Sequence, residues 1–298
     1  MSATTPSDRP VPSDGPVPSD RPVARDVTVL MPVWRGDRAD RFAAAVASAT
    51  AQQTLAPAEL LLSIDGPLTP ELDAVVAAIE SGEHGPARVL RAEAHQGLAL
   101  TLQRGLEAAA TALVARADAD DLCRPERLAL QVGAMQEGGL DLISGTLQEF
   151  SDAVPVGTGP LRTRPLTHAE ILAYLPRHSP FQHPAVMMRR DAALAVGGYL
   201  ELDHLEDYWL WERMLLGGAR SANLPEVLVD YRVDEDLFAR RGGARMFRSD
   251  LRLQRAFLRD GITTPIGAAT NLARRGAYRF APGWMRRLGY RLLVERMR

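Results

Sequence analysis

The sequence contains no lysine and a single cysteine, Cys123. One thiol excludes a disulfide framework and a cysteine-built zinc site within the chain. No apolar run reaches the ~18 residues that a membrane span requires. The opening stretch, residues 1–26, lacks the hydrophobic core of a secretory signal. Also missing are the Gly-x-Gly-x-x-Gly fingerprint, the Walker loop, the Gly-x-Ser-x-Gly elbow and the His-Glu-x-x-His zinc motif. With a formal charge of −2, the chain is no globally basic nucleic-acid binder, and no nucleic acid is expected as a partner. These absences point to a soluble, cytoplasmic protein with ordinary globular chemistry.

What is present fits that expectation. Of 298 residues, 46% are apolar and 24% charged, enough for a sizeable core in one large domain or two smaller ones. Residues 1–26 carry a proline-rich near-repeat, Pro-Val-Pro-Ser-Asp, that cannot bury enough apolar surface to offset ordering, so a disordered tail is expected there. Order is expected from Val27. Apolar runs at 27–33, 59–65, 88–91 and 112–117 read as strands, alternating with helices at 42–53, 70–80, 98–110 and 125–136. Thr69-Pro70 is a capped helix start. This alternation predicts a parallel sheet covered on both faces.

The second half is more mixed. Strands are expected at 141–144, 183–188 and 224–231, and a capping box at Thr167/Glu170 opens a helix. Asp191 is expected to cap a short helix closed by Gly197-Gly198. A further helix spans 206–216. From residue 244 onward thirteen arginines face three acids, an excess of ten positive charges. The expected division is therefore a tail (1–26), a catalytic domain (27–243, with halves at about 27–145 and 146–243) and a basic helical segment (244–298).

In an open parallel sheet, ligands bind beyond the carboxyl ends of the strands. Asp65 ends the second strand, and Asp118, Asp120 and Asp121 end the fourth. Carboxylates crowded this closely repel one another, and a hard divalent cation removes the conflict. Mg²⁺ or Mn²⁺ held this way implies a phosphorylated ligand. The plainer alternative is that these acids cap the following helix. Glu206-Asp207 precedes Tyr208, Trp209 and Trp211, so a partly desolvated carboxylate suited to general-base work is expected there; an N-terminal acid pair on a core helix is the alternative. His183 is a ligand candidate or a core histidine. Arg240-Arg241 reads as a diphosphate clamp or as a solvated turn.

Taken in order, these segments resemble glycosyltransferase family 2, the GT-A fold enzymes that use nucleotide-sugars. The matching pieces are Val29-Leu-Met-Pro-Val-Trp34, Leu62-Ser-Ile-Asp65-Gly66, Gln96-Gly97, Ala117-Asp118-Ala119-Asp120-Asp121, Gly197-Gly198-Tyr199 with Leu205-Glu206-Asp207, and Tyr231-Arg232. The C-terminal run is similar to the amylovoran-type exopolysaccharide branch, associated with galactosyl transfer. The resemblance covers about 27–298 and implies a GT-A fold, a Rossmann-like mixed α/β sheet flanked by helices, with a basic helical extension. It implies an inverting, metal-dependent transferase moving a hexose, galactose or glucose, from a UDP-sugar to a glycan or polyprenyl-linked acceptor in surface polysaccharide or glycoconjugate synthesis. Pro32, Val33, Trp34, Asp65 and Gly97 would border the nucleotide, together with Asp118, Arg240 and Arg241. Asp118 and Asp120 match the family's Asp-x-Asp motif and would hold Mn²⁺ or Mg²⁺. Asp207 would be the catalytic base, supported by Glu206, with His183, Trp209 and Asp121 toward the acceptor.

Four positions depart from the pattern that the resemblance implies. His95 and Gln103 replace asparagines, Trp209 replaces a polar residue, and Asp234 stands where many members place a metal-binding histidine. Two other readings stay open: a nucleotidyltransferase, and a non-catalytic nucleotide-sugar-binding or assembly protein with a degenerate site. For the segment 244–298, aromatic and leucine residues interleaved with arginine suit either peripheral contact with the anionic inner membrane or packing on the catalytic domain.

Overall fold

The computed structural model describes residues 23–234, 243–282 and residue 285. β1 (Val23–Trp34), β2 (Ala56–Asp65), β3 (Ala87–Arg91) and β4 (Leu113–Arg116) form a parallel sheet in the order β3-β2-β1-β4. β1 begins at Val23, four residues ahead of the expected boundary, because 23–24 already pair with 56–57 before a register shift. Residues 1–22 of the expected tail lie outside the described residues. Trp34 pairs with Asp65, and Leu30 with Arg116, so the chain leaves all three central strands at one carboxyl edge.

Both faces of these strands are buried, as parallel strands require. Val29, Met31, Leu60 and Leu62 point to one face. There they pack on α1 (Ala39–Ala49), α2 (Pro70–Glu80) and α4 (Arg127–Gly138) through Phe42, Val46, Leu72, Val76, Leu128 and Met135. Leu30 and Leu61 point to the other face, toward Leu102 and Leu106 of α3 (Leu98–Ala108) and Trp211 of α7 (Glu206–Leu216). Thr69 caps α2 by accepting from Leu72 N–H, with Pro70 at the first helical position, an arrangement worth about 1 kcal/mol. α1 ends at Ala49 rather than near residue 53. Gln53 leaves the helix, its Nε2 donating to Ser48 O and Arg124 O.

The second half turns the sheet mixed. β8 (Met187–Arg189) runs antiparallel to β4 and to β6 (Leu142–Phe150), and β9 (Ser221–Arg232) runs parallel to β6. Two short strands escaped sequence reading: β5 (Leu122–Cys123) on β9 and β7 (Leu161–Arg162) on β6. The strand expected at 183–188 is shorter. His183–Ala185 form a 3-10 turn around Pro184, which has no N–H for a ladder, and pairing starts only at Met187. Asp191 does not cap α6 (Arg190–Ala195): Arg189 holds the cap position, and Asp191 pairs instead with Arg190. The Thr167/Glu170 capping box of α5 (His168–Tyr174) forms in full.

The basic segment supplies two helices, α8 (Ala244–Arg259) and α9 (Pro265–Phe280). α8 drives Met246, Leu253 and Phe257 into the same core as Trp211. Asp250, fully buried, accepts from Arg275 at 2.7 Å and Arg279 at 2.9 Å and so ties α8 to α9. Deeper in the sheet, buried Arg127 donates to Arg116 O, Val186 O and Gln131 Oε1 and contacts the lone thiol of Cys123. That one guanidinium fixes the strand end from which the acid motif leaves.

Candidate active site

The first rim of the site is built by β1 and β2. Pro32 and Val33 are buried, while Trp34 is 43% exposed, its ring lying over Gly36 so closely that a Cβ there would sit 2.1 Å from it. Asp65 is buried, and both oxygens are used: Oδ1 accepts from Gln96 N–H (2.6 Å), and Oδ2 accepts from Gly97 N–H (3.0 Å) and faces His95 Nδ1 (2.9 Å). Asp65 therefore fastens the 95–97 turn. Gly97 can make that turn because its φ is 97°. His95 is thereby held 5.9 Å, ring to ring, from Trp34. The two exposed rings bound a shelf at the sheet edge.

The acid cluster follows β4. One oxygen from each of Asp118, Asp120 and Asp121 falls within 4.8 Å of the others. None of them caps α4, whose start has no side-chain cap, so the capping alternative does not hold. Asp118 is paired with buried Arg116. Asp121 Oδ1 accepts from Arg232 N–H at 2.7 Å, but its Oδ2 is buried with no partner. Burial and the neighbouring Asp118 push Asp120 up to about 6, and burial with Asp120 raises Asp121 well above the usual range. An orphaned buried oxygen on Asp121, in an all-carboxylate set, fits a divalent cation taking oxygen ligands. Asp121, expected toward the acceptor, thus lies with the Asp-x-Asp acids.

Asp37 joins this rim. Its Oδ2 accepts from Trp34 N–H at 2.9 Å, and burial, helped by Asp120 and Asp118, pushes it up to about 7. Asp234 is bound by Arg41, and its charge contributes to the shift of Asp120.

The second acid group opens α7. Glu206 is 5% exposed, and burial with the adjacent Asp207 pushes it up to about 8. Asp207 is half-buried, its Oδ1 accepting from Tyr208 N–H at 2.6 Å. His183 Nδ1 lies 3.9 Å from Asp207 Oδ2, and its Nε2 is 2.9 Å from the Tyr199 hydroxyl. Burial, then Arg116, hold His183 well below its ordinary range, so it is neutral and cannot form an ion pair with Asp207. Trp209 is half-buried with the Arg213 guanidinium 5.3 Å over its ring, and its Nε1 is buried without an acceptor. The left-handed φ of His204, 61°, sits two residues before this pair, a strained turn that sets the entry of α7.

Arg116 connects the two groups. It pairs with Asp118, and its charge also bears on Asp121, Glu206, His183 and Tyr199. Tyr199 in turn senses Asp207, Glu206 and Asp118, and its hydroxyl is pushed up by burial. The structure thus gathers Asp118, Asp120, Asp121, Glu206, Asp207 and His183 around one buried cation, with Trp34, Asp65 and Gly97 on the adjoining rim. Arg240 and Arg241 lie outside the described residues. Sequence reasoning missed Arg116, Asp37 and the role of Tyr199. An arginine inside an otherwise apolar strand, two residues before the Asp-x-Asp motif, was the available signal for the first.

The carboxylate cluster at the carboxyl edge of the parallel sheet and the second acid pair at the start of α7 sit in a mixed α/β fold that matches glycosyltransferases of the GT-A fold. Residues 28–197 match the description of glycosyl transferase family 2, and the chain belongs to that family. It is 34% identical over 205 residues to the "Amylovoran biosynthesis glycosyltransferase AmsE" of Erwinia amylovora, covering 68% of this chain and 75% of that protein. It is 30% identical over 246 residues to the "UDP-Gal:alpha-D-GlcNAc-diphosphoundecaprenol beta-1,3-galactosyltransferase" of Escherichia coli, covering 82% and 88% respectively. Among solved structures it superposes on the mannosyltransferase PcManGT from Pyrobaculum calidifontis in complex with GDP-Man and Mn²⁺. There the TM-score is 0.57 at 18% identity, over 91% of this chain and 74% of that one.

Proposed function

We propose that this family 2 glycosyltransferase moves a hexose from a UDP-sugar to a glycan or lipid-linked acceptor during bacterial surface polysaccharide assembly, with inversion at the anomeric carbon. The observation that carries this reading is the meeting of two acid groups around Arg116, one suited to a metal and one suited to a proton transfer. The names of the Erwinia and Escherichia relatives support the polysaccharide setting, and the latter supports UDP and a diphospholipid acceptor.

Asp120 and Asp121, with Asp118, would hold Mn²⁺ or Mg²⁺. Bound there, the ion would supply positive charge against the departing diphosphate. Trp34 and His95 would flank the uracil, and Asp65 keeps the 95–97 turn in place beneath it. Glu206, with its raised pKa, keeps its proton at neutral pH and leaves proton transfer to Asp207. Asp207 takes the proton of the acceptor hydroxyl as that oxygen bonds to the anomeric carbon. The bond from that carbon to the UDP oxygen breaks on the opposite side, and its electron pair leaves with UDP. One in-line displacement inverts the centre. Neutral His183, hydrogen-bonded to Tyr199, lies beside Asp207 where it can position the incoming hydroxyl.

The basic segment from residue 244 would face the anionic inner membrane surface, since Ile266 and Phe280 are exposed among its arginines. The test of the catalytic reading is Asp207→Asn. UDP binding with Mn²⁺ should be retained while transfer falls by about 10²- to 10⁴-fold, the usual contribution of a general base. Undiminished transfer would remove Asp207 from the role. Failure of the native chain to bind UDP would favour a non-catalytic assembly protein.

A further inference from the structure

Tyr199 faces the candidate base through His183. It stands on the connection between α6 and α7 and is held there from two sides. Gln103 Oε1 of α3 accepts from Tyr199 N–H at 2.7 Å, and Gly198 O accepts from Arg213 Nη2 of α7 at 2.6 Å. The side chain is buried, and its hydroxyl lies 2.9 Å from His183 Nε2. His183 is fixed in turn by aromatic packing. Its ring meets Tyr199 at 5.6 Å and the edge of fully buried Trp211 at 5.7 Å between centroids.

The direction of the Tyr199–His183 hydrogen bond follows from where protons can go. Burial pushes the Tyr199 hydroxyl up, so it keeps its proton; burial, then Arg116, keep His183 neutral, with a single ring proton. Among the described residues His183 Nε2 is the one hydrogen-bond partner of that hydroxyl. With Nε2 protonated, the buried hydroxyl proton would have no acceptor, a loss that buried polar groups rarely bear. The hydroxyl therefore donates to Nε2, and the ring proton sits on Nδ1. Nδ1 faces Asp207 Oδ2 across 3.9 Å, too far for a direct hydrogen bond. One hydroxyl oxygen, about 2.8 Å from each atom, spans that gap. Both side chains keep open surface to receive it, 10% for His183 and 20% for Asp207.

We propose that Tyr199 is a positioning residue that fixes His183 as an Nδ1–H donor, so that the acceptor hydroxyl is held between His183 and Asp207. This rests on the role of Asp207 in the proposed function and says how the nucleophile is oriented there. The hydroxyl oxygen accepts from Nδ1–H and donates its proton to Asp207. One lone pair is left to aim at the anomeric carbon. In the opposite tautomer a bare Nδ1 would set its lone pair against the Asp207 carboxylate and the incoming oxygen.

The test is NMR of the full chain with isotopically labelled histidine nitrogens, since protonated and bare ring nitrogens resonate far apart; His183→Gln assigns the signals. The native chain should carry the proton on Nδ1 and leave Nε2 bare. Tyr199→Phe keeps the ring and loses the hydroxyl, and should move the proton to Nε2 in a measurable fraction of molecules. Kinetics are read beside the spectra, as UDP release from UDP-galactose, UDP-glucose and UDP-N-acetylglucosamine in Mn²⁺, with water in place of the acceptor. In Tyr199→Phe kcat should fall about tenfold, the worth of one hydrogen bond, while donor KM and UDP affinity stay unchanged. Unchanged UDP affinity also shows that the variant is folded, and the native spectrum tests the tautomer without any variant. An unaltered tautomer in Tyr199→Phe, or a loss confined to donor KM, would overturn the proposal. No UDP release from the native chain would sink the proposed function and this inference together. An active chain with its His183 proton on Nε2 would sink this inference alone.

Discussion

Arg116 is a buried cation with an acid on each side of it, and its removal should be felt in both places. Arg116→Ala leaves Asp118 without its partner among already crowded carboxylates. The expected cost is about 3–5 kcal/mol of stability, the usual consequence of breaking a buried pair. Thermal unfolding with and without Mn²⁺ checks this, and the loss should be smaller with the ion present, because added positive charge replaces the missing guanidinium.

Glu206 gives a pH-dependent expectation at the same scale. Its folded pKa, about 8, lies above its unfolded value of about 4.3, so the folded state favours the protonated acid. Stability from the neutral form is fully present below the unfolded value and is lost as pH rises through the folded one. Glu206→Gln mimics the neutral acid. The variant should therefore match the native chain near pH 4, become progressively more stable than it up to about pH 8, and keep a constant lead above that. Melting curves across that range measure the difference directly; a constant offset would contradict it.

Among elements, the contact between α3 and the loop after α6 links the halves of the molecule. Gln103 Oε1 accepts from Tyr199 N–H at 2.7 Å, and a Cβ on Gly198 would meet that oxygen at 2.0 Å, at a φ of 60°. Gly198→Ala should cost about 1–3 kcal/mol, from overpacking and backbone strain together. Part of this should be restored by Gln103→Ala, which removes the clash, so the pair should be measurably non-additive in denaturant unfolding. Sequence reading foresaw most elements of the first half, because parallel strands buried on both faces announce themselves as apolar runs and Thr69-Pro70 is a local signal. It missed β5 and β7, each two residues long and defined by partners far away in the chain. It misplaced the strand near His183 because Pro184 acts through a missing donor that hydrophobicity does not record. The acids were legible as residues; their assembly around Arg116 was not, since Arg116 comes within electrostatic reach of both Asp118 and Glu206 only through the fold.

For the whole molecule, α8 and α9 are built into the core rather than appended to it. Phe257 is fully buried and packs edge-on against Tyr208, with ring centroids 5.3 Å apart. Phe257→Ala should cost about 3–5 kcal/mol. Through Tyr208 it should also weaken transfer more than it weakens UDP binding, as side-by-side unfolding and activity measurements would show. The excess positive charge of the segment was evident in the sequence, but its amphipathic pattern served membrane contact and core packing equally. The structure buries one face of α8 in the core, through Met246, Leu253 and Phe257, and leaves Ile266 of α9 exposed. Among the described residues no helix is long and apolar enough to cross a membrane.

The most direct measurement is UDP release from a panel of nucleotide-sugars without acceptor, in Mn²⁺, Mg²⁺ or EDTA, on the native chain and on Asp120→Asn. The account predicts that one UDP-hexose is hydrolysed in a metal-dependent way, that EDTA abolishes the release, and that Asp120→Asn reduces it at least tenfold. Release that is indifferent to EDTA and to Asp120, or no UDP binding with either ion, would contradict it.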